Sequence, residues 1–245
     1  AMMTLTGEMG YPSALSAKTW GFYDVSFNGK PFSFQRDFGS YVMENILFKI
    51  SYPAEFHGQT AVEAAIELHD KVADKLDDIE RIELTTHESA IRIISKEGEL
   101  HNPADRDHCI QYMVACGLLF GELNADHYEE DVAKDSRIDA LRDKMTLQEN
   151  KEWSKDYHEP SKRSIANAVQ VFFKDGSSTD KITVEYPLGH RRRREEGIPV
   201  LIEKFKSNVY TRFPKRHGEE IIDLCLDEDA LMDTPVNEFM NLLII

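Results

Sequence analysis

Between residues 60 and 186 the apolar positions switch period repeatedly, and this switching constrains the fold more than any other feature of the chain. Ala61, Ala64, Ala65, Leu68 and Val72 recur at spacings of three and four, which predicts a helix over 60–75. Residues 79–85 then alternate, with Ile79 and Arg81 facing out and Ile82 and Leu84 facing in, as a half-buried strand does. The apolar run 90–94 also reads as β. Asn102-Pro103 supplies a cap and a first-turn proline, and Asp105 and Asp107 suit the start of a second helix over 103–121. The apolar face of that helix is Ile110, Met113, Val114, Gly117 and Leu118. A shorter helix, 136–145, is read as capped by Ser136. Residues 168–174 and 181–186 are strands around Asp175-Gly176-Ser177-Ser178, a hairpin signal. Residues 198–208, 214–226 and 234–243 are helical.

The class is therefore α+β: a small two-layer α+β unit, residues 46–187, inserted into a mostly helical domain. Residues 188–245 are read as the C-terminal helices of that domain. Residues 1–45 are punctuated by glycine and proline but carry Tyr11, Trp20, Phe22, Tyr23, Phe27, Phe32, Phe34 and Phe38. A solvated linker would not carry so many aromatics. The reading is an extended segment packed on something larger.

No apolar run approaches the roughly 18 residues that a membrane helix needs. The start lacks a basic region followed by an apolar stretch, so no signal peptide is expected. Three cysteines, Cys109, Cys116 and Cys225, make neither a disulfide framework nor a close metal-binding pair. They read as small buried hydrophobes in a reducing compartment, the cytoplasm. The formal net charge of −15 disfavours nucleic acid and anionic membranes as partners. An enzyme for an acidic substrate must here gather its cations locally.

Four stretches can carry chemistry. Residues 48–60 gather Lys49, Tyr52, Glu55, His57 and Gln59 just ahead of a helix, whose first N–H groups favour a carboxylate. A loop of solvated charges with a capping histidine is the alternative. Residues 102–112 hold Arg106, Asp107, His108 and Tyr112. His108 and Tyr112 are four apart and would share a helix face, and Asp107 could orient the imidazole. A charged first helical turn is the alternative. The polar stretch 157–164 reads as a surface loop ahead of a strand. The run Gly189-His190-Arg191-Arg192-Arg193-Arg194 sets four guanidiniums side by side in an acidic chain. Paired guanidiniums bind carboxylates in a bidentate way. Salt bridges or a solvated turn would also explain the run. No Gly-rich phosphate loop, zincin or hydrolase motif appears, so acid–base chemistry without a bound cofactor is expected.

FKISYPAEFHGQTAVEAA (48–65), NPADRDHCIQYMVA (102–115) and EYPLGHRRRREEGIP (185–199) strongly resemble the MmgE/PrpD family, and TGEMGYPSAL (6–15) fits it too. The resemblance covers essentially the whole chain and roughly the C-terminal half of a full-length member. It implies a helical domain, largely absent here, on which residues 1–45 pack. It also implies an α+β domain inserted into that domain, an active site between them, and homodimers of the full-length protein. The reaction implied is dehydration of 2-methylcitrate to 2-methyl-cis-aconitate in propionate breakdown, without an iron–sulfur cluster. Relatives decarboxylate, hydrate or isomerise related acids.

Residue by residue, the resemblance makes Lys49 the substrate-side lysine. It leaves Glu55, His57 and Gln59 competing for the position after the Lys-x-x-Tyr-Pro motif, and it matches Asp107-His108 to an Asp-His pair. The proposed catalytic set is Lys49, His57 and His108. Tyr52, Glu55, Gln59, Arg106, Asp107, Tyr112, His190, Arg191, Arg192 and Arg193 are assigned to a small tricarboxylate substrate. Further catalytic residues are expected in an upstream half.

Overall fold

The computed structural model describes residues 1–34, 39 and 41–244, so Phe38 lies outside the described residues. The chain divides into two compact units, Ala1–Glu44 and Asn45–Ile245. The first is largely irregular, with short helical turns at Met2–Leu5 and Phe22–Phe27. Its aromatic rings meet one another in sequence: Phe22 with Phe27, Phe27 with Phe32, and Phe32 with Phe34, at centroid distances of 5.3, 5.5 and 4.9 Å. Trp20 remains 85% exposed.

The second unit starts its regular structure at α1 (Gln59–Val72), which runs into β1 (Ile79–Thr86) and α2 (Glu88–Ile94). Next come α3 (Ile110–Phe120), α4 (Ser136–Arg142), β2 (Met145–Glu149) and α5 (Lys151–His158). The hairpin β3 (Asn167–Phe173) and β4 (Ile182–Val184) completes a four-stranded sheet of order β2-β1-β3-β4. β1 pairs parallel with β2 and antiparallel with β3, and β3 pairs antiparallel with β4.

The core lies between this sheet and the crossed pair α1 and α3. Small residues make the crossing close. A Cβ on Gly117 would lie 2.9 Å from the Cβ of Ala65. Ile82 pairs with Met145 on one side and Val171 on the other, and Leu84 with Leu147 and Val169, so apolar rows cross three strands. Ile82, Leu84, Val169 and Val171 are fully buried, and each contributes roughly 1.5–3 kcal/mol.

Several boundaries differ from the periodicity reading, each for a local reason. Ile79 is buried, because a register shift between Ile79 and Arg81 turns it to the same face as Ile82. Residues 90–94 are helical in α2. A strand would place Arg92 beside Ala90 and Ile94 in the core, whereas one helical turn buries Ala90 and Ile94 and leaves Arg92 out.

The expected helix over 103–121 is two pieces. A single turn, Pro103–Arg106, capped by the Asn102 side chain, ends before α3, and Cys109 is extended at the junction. Asp107 and His108 lie in that break, so His108 and Tyr112 do not share one helix face. α4 is capped by Asp135, whose carboxylate accepts from Arg137 N–H, and not by Ser136. β2 and α5 escape the periodicity reading because β2 is a half-exposed edge strand and α5 buries no residue fully.

Beyond residue 190 the chain is helical: α6 (Arg194–Arg212), α7 (Lys215–Leu226), α8 (Glu228–Asp233) and α9 (Val236–Leu242). Val209, Ile221 and Ile222 form a second, small core there. Cys109 and Cys116 are buried and Cys225 is half-buried, all three as free thiols. No helix among the described residues is long and apolar enough to cross a membrane.

Candidate active site

The segment between residue 48 and α1 is held from several sides. Phe48 N–H donates to Gly189 O at 3.1 Å, and Lys204 Nζ donates to Lys49 O at 2.7 Å. Lys49 is itself exposed, its ammonium 5.4 Å above the ring of Phe56. Gln59 is buried, and its amide donates to Tyr52 O and Ala54 O, both at 2.8 Å. Gln59 thus closes the loop that carries Tyr52, Glu55 and His57. Glu55 N–H donates to Asp107 O at 3.2 Å, which sets the Asp107-His108 break beside that loop.

Glu55 caps the one-turn helix Phe56–Gly58, accepting from His57 N–H at 2.8 Å. The same carboxylate meets Nδ1 of His57 at 2.8 Å. Burial raises the Glu55 pKa. The hydrogen bonds from His57 and the charges of His57 and His108 outweigh this, so it lies below the ordinary carboxylate value. A carboxylate can only accept, so it assigns the ring proton to Nδ1 and leaves Nε2 as the acceptor. Nε2 lies 3.0 Å from the hydroxyl of Tyr157, which donates to it.

Tyr157 comes from α5, whose N-terminus is capped by Asn150. Stacked on its ring is His87, at a centroid distance of 4.7 Å and an interplanar angle of 12°. His87 is fully buried where β1 ends, and it also faces His57 at 5.3 Å. Burial, and then the neighbouring His57, lower the pKa of His87 to about 4.

The Asp107-His108 pair is a separate, more exposed couple: His108 Nδ1 meets Asp107 Oδ1 at 2.6 Å. Arg106 points elsewhere. It is buried and donates to Tyr128 O at 2.7 Å and to Glu130 at 2.6 Å. Tyr112 lies in the core with its hydroxyl donating to His127 O at 2.6 Å, and burial raises its pKa.

The arginine run is built into the protein with unequal partners. Arg191 donates to Asn45 Oδ1 at 2.7 Å and to Ser161 O at 3.0 Å, and Arg192 donates to the same Ser161 carbonyl while lying over Tyr186. These acceptors are neutral, and among the described residues neither guanidinium forms an ion pair. Arg193 pairs with Glu63 and Glu196, each at 2.9 Å. Those hydrogen bonds raise its pKa against the opposing effect of burial. Tyr52 lies near Glu63 and Arg193, and burial, reinforced by Glu63, pushes its pKa up to about 12. His190 is buried, accepts from Arg192 N–H at 3.2 Å, and is lowered to about 4 by burial and then by the arginines around it. Among the described residues no group of His, Cys, Asp and Glu could hold a metal ion.

The structure thus joins Glu55, His57, Asp107 and His108 in one neighbourhood, and Tyr52 with the arginine run in another. Tyr157 and His87 belong to the first; neither is among the candidate site residues read from the sequence, although Tyr157 opens the polar stretch 157–164. Tyr157 fell in a stretch read as a loop, and His87 ended a strand without any motif. The cap at Asn150 was the signal that could have placed Tyr157 on a helix.

A profile of the MmgE/PrpD C-terminal domain matches residues 52–228. The chain is 58% identical over 248 aligned residues to a 2-methylcitrate dehydratase of Salmonella typhimurium, with 100% of this chain and 51% of that relative covered. The enzyme of the same name in Escherichia coli is 56% identical over the same coverage. A mitochondrial 2-methylcitrate dehydratase of Yarrowia lipolytica is 54% identical, covering 99% of this chain and 47% of that relative. The chain spans about half the length of the curated relatives it matches.

Proposed function

The chain belongs to the MmgE/PrpD family, and from that premise we propose that it forms the C-terminal portion of a cytoplasmic hydro-lyase that dehydrates 2-methylcitrate to 2-methyl-cis-aconitate in propionate breakdown. The observation that carries this reading is the identity of 54–58% along the whole chain to relatives bearing that enzyme's name. The geometry agrees with the chemistry required. Elimination of water from such an acid needs cations for its carboxylates, a base for the proton leaving carbon, and an acid for the departing hydroxyl.

Lys49 and the two guanidiniums that hold neutral acceptors, Arg191 and Arg192, bind carboxylates in this proposal. His57, held by Glu55, moves the proton, and His108, oriented by Asp107, is the second imidazole able to do so. Gln59, Arg106 and Tyr112 have their polar groups engaged inside the protein and shape the site from behind.

The experiment is Lys49→Ala in the full-length protein, followed by the absorbance of the unsaturated acid, with citrate, 2-methylcitrate and cis-aconitate offered side by side. Preferential turnover of 2-methylcitrate, lost or strongly reduced in the variant, is expected. Near-normal turnover in Lys49→Ala would remove Lys49 from the mechanism, and preference for another acid would move the chain to a different reaction of the family.

A further inference from the structure

Both ring nitrogens of His57 are occupied inside the protein: Nδ1 by Glu55 and Nε2 by the Tyr157 hydroxyl. His57 is only 9% exposed. A ligand therefore does not meet this imidazole directly. Tyr157 is half-exposed and is the outer member of the chain Glu55, His57, Tyr157.

Behind it stands His87, 0% exposed, with neither ring nitrogen hydrogen-bonded among the described residues. A buried polar ring without partners is unfavourable, and most proteins satisfy such groups. What His87 does supply is a flat surface, nearly parallel to the Tyr157 ring and in contact with His57. Having no hydrogen bond of its own, it competes for neither the Tyr157 hydroxyl nor the His57 nitrogen.

We infer that Tyr157 is the group through which this site exchanges its proton with the substrate, and that His87 is a positioning residue that stacks Tyr157 onto His57. The inference rests on the dehydratase reading above. The Tyr157 oxygen takes the proton from the substrate carbon while its own phenolic proton passes to Nε2 of His57. The C–H electron pair becomes the second bond of the alkene, and the C–O bond breaks toward oxygen. The imidazolium formed beside the Glu55 carboxylate returns its proton through Tyr157 to the departing hydroxide, which leaves as water. The site ends as it began, and no redox partner takes part.

The test compares Tyr157→Phe, His87→Ala and His87→Phe in the full-length protein. Tyr157→Phe is expected to lower kcat by about 100-fold or more, with KM within about threefold. His87→Ala is expected to lower kcat about tenfold at similar KM, and His87→Phe, which restores a flat ring without nitrogens, to recover most of that loss. Unchanged kcat in Tyr157→Phe overturns the inference. So does a His87→Phe variant as impaired as His87→Ala.

Nitrogen NMR of the imidazoles supplies a readout independent of turnover. His57 is expected as its Nδ1–H tautomer, with an Nε2 resonance that moves in Tyr157→Phe and His87→Ala but not in His87→Phe. If the unmodified protein turns over none of the three acids, the dehydratase reading falls. The pairing of Tyr157 with His57 is then decided by this spectrum, and an Nε2 resonance indifferent to Tyr157→Phe overturns it.

Discussion

The side-chain amide of Asn167 donates to the backbone carbonyl of His57 at 2.7 Å, across 110 residues of sequence. The same nitrogen lies 2.7 Å from the Thr60 hydroxyl, which in turn donates to Ile165 O. Asn167 is the first residue of β3, so the sheet holds the one-turn helix that carries His57. Asn167→Ala would remove the donor to the His57 carbonyl and one of the two partners of the buried Thr60 hydroxyl, which keeps its bond to Ile165 O. It is expected to cost about 1–3 kcal/mol, measured as a lower urea midpoint at unchanged slope. In a variant that still folds, kcat should fall more than KM rises, because the substrate contacts stay while the imidazole is loosened.

Stability should fall in mild acid. His87 and His190 are both held near pKa 4, below the ordinary 6.5, by burial. A histidine with a lowered folded pKa takes up its proton more readily when unfolded. Its contribution is therefore complete above pH 6.5 and is lost as pH falls toward 4. Linkage gives roughly 2 kcal/mol for each residue by pH 5, and Glu55, held below its ordinary value, adds to the loss at lower pH. The urea midpoint should drop between pH 7 and pH 5, and His87→Phe should remove about half of that drop. Equal midpoints at the two pH values would mean that neither ring is kept neutral by the fold.

The arginines of one run should behave differently. Arg193 neutralises the half-buried Glu63, so Arg193→Met leaves that carboxylate without its cation. A stability loss of roughly 1–3 kcal/mol is expected, with KM little changed in the folded fraction. Arg191 and Arg192 hold neutral acceptors. Arg191→Met or Arg192→Met should raise KM for the tricarboxylate about tenfold, with a smaller effect on the urea midpoint. A KM effect confined to Arg193 would reverse this division of roles.

The α+β class was legible because α1, β1, α3 and the β3–β4 hairpin each carry their own period or turn residues. The errors share a cause. Ile79 faced the wrong way because a bulge adds a residue that no alternation count can see. Residues 90–94 carry three β-branched isoleucines yet are helical, since a helix keeps Arg92 out of the core. Lys49, His57, Asp107 and His108 stood out in the sequence by residue type and close spacing. Tyr157 and Asn167 did not, because their contacts to His57 span 100 and 110 residues. Such contacts exist only once β3 and α5 are in place. For the arginine run, the sequence left anion binding and salt bridges both open, and the structure shows ion pairs at Arg193 and neutral acceptors at Arg191 and Arg192.

Gly189 joins the arginine run to the segment carrying Lys49, and that junction supports the sharpest mutational prediction. Its carbonyl accepts from Phe48 N–H at 3.1 Å, and the backbone of Phe48 fills the space where a side chain would begin. A Cβ built on Gly189 overlaps the carbonyl oxygen of Phe48. The obstacle is backbone, so no rotamer change relieves it. Either the Phe48–Lys49 segment or the turn at residue 189 must move, and both are anchored, by Lys204 to Lys49 O and by His190 N–H to Pro187 O. Gly189→Ala is therefore expected to cost more than about 3 kcal/mol, in the range of a severe overpacking substitution. In whatever fraction folds, both KM and kcat should worsen, since Lys49 and Arg191 shift apart. Gly98→Ala is the control: Gly98 has nothing within 4 Å of a Cβ, though its φ of +80° strains any side chain. Backbone strain alone costs about 1 kcal/mol there. A Gly189→Ala protein no less stable than Gly98→Ala would show that the Phe48–Gly189 approach is not as close as this structure has it.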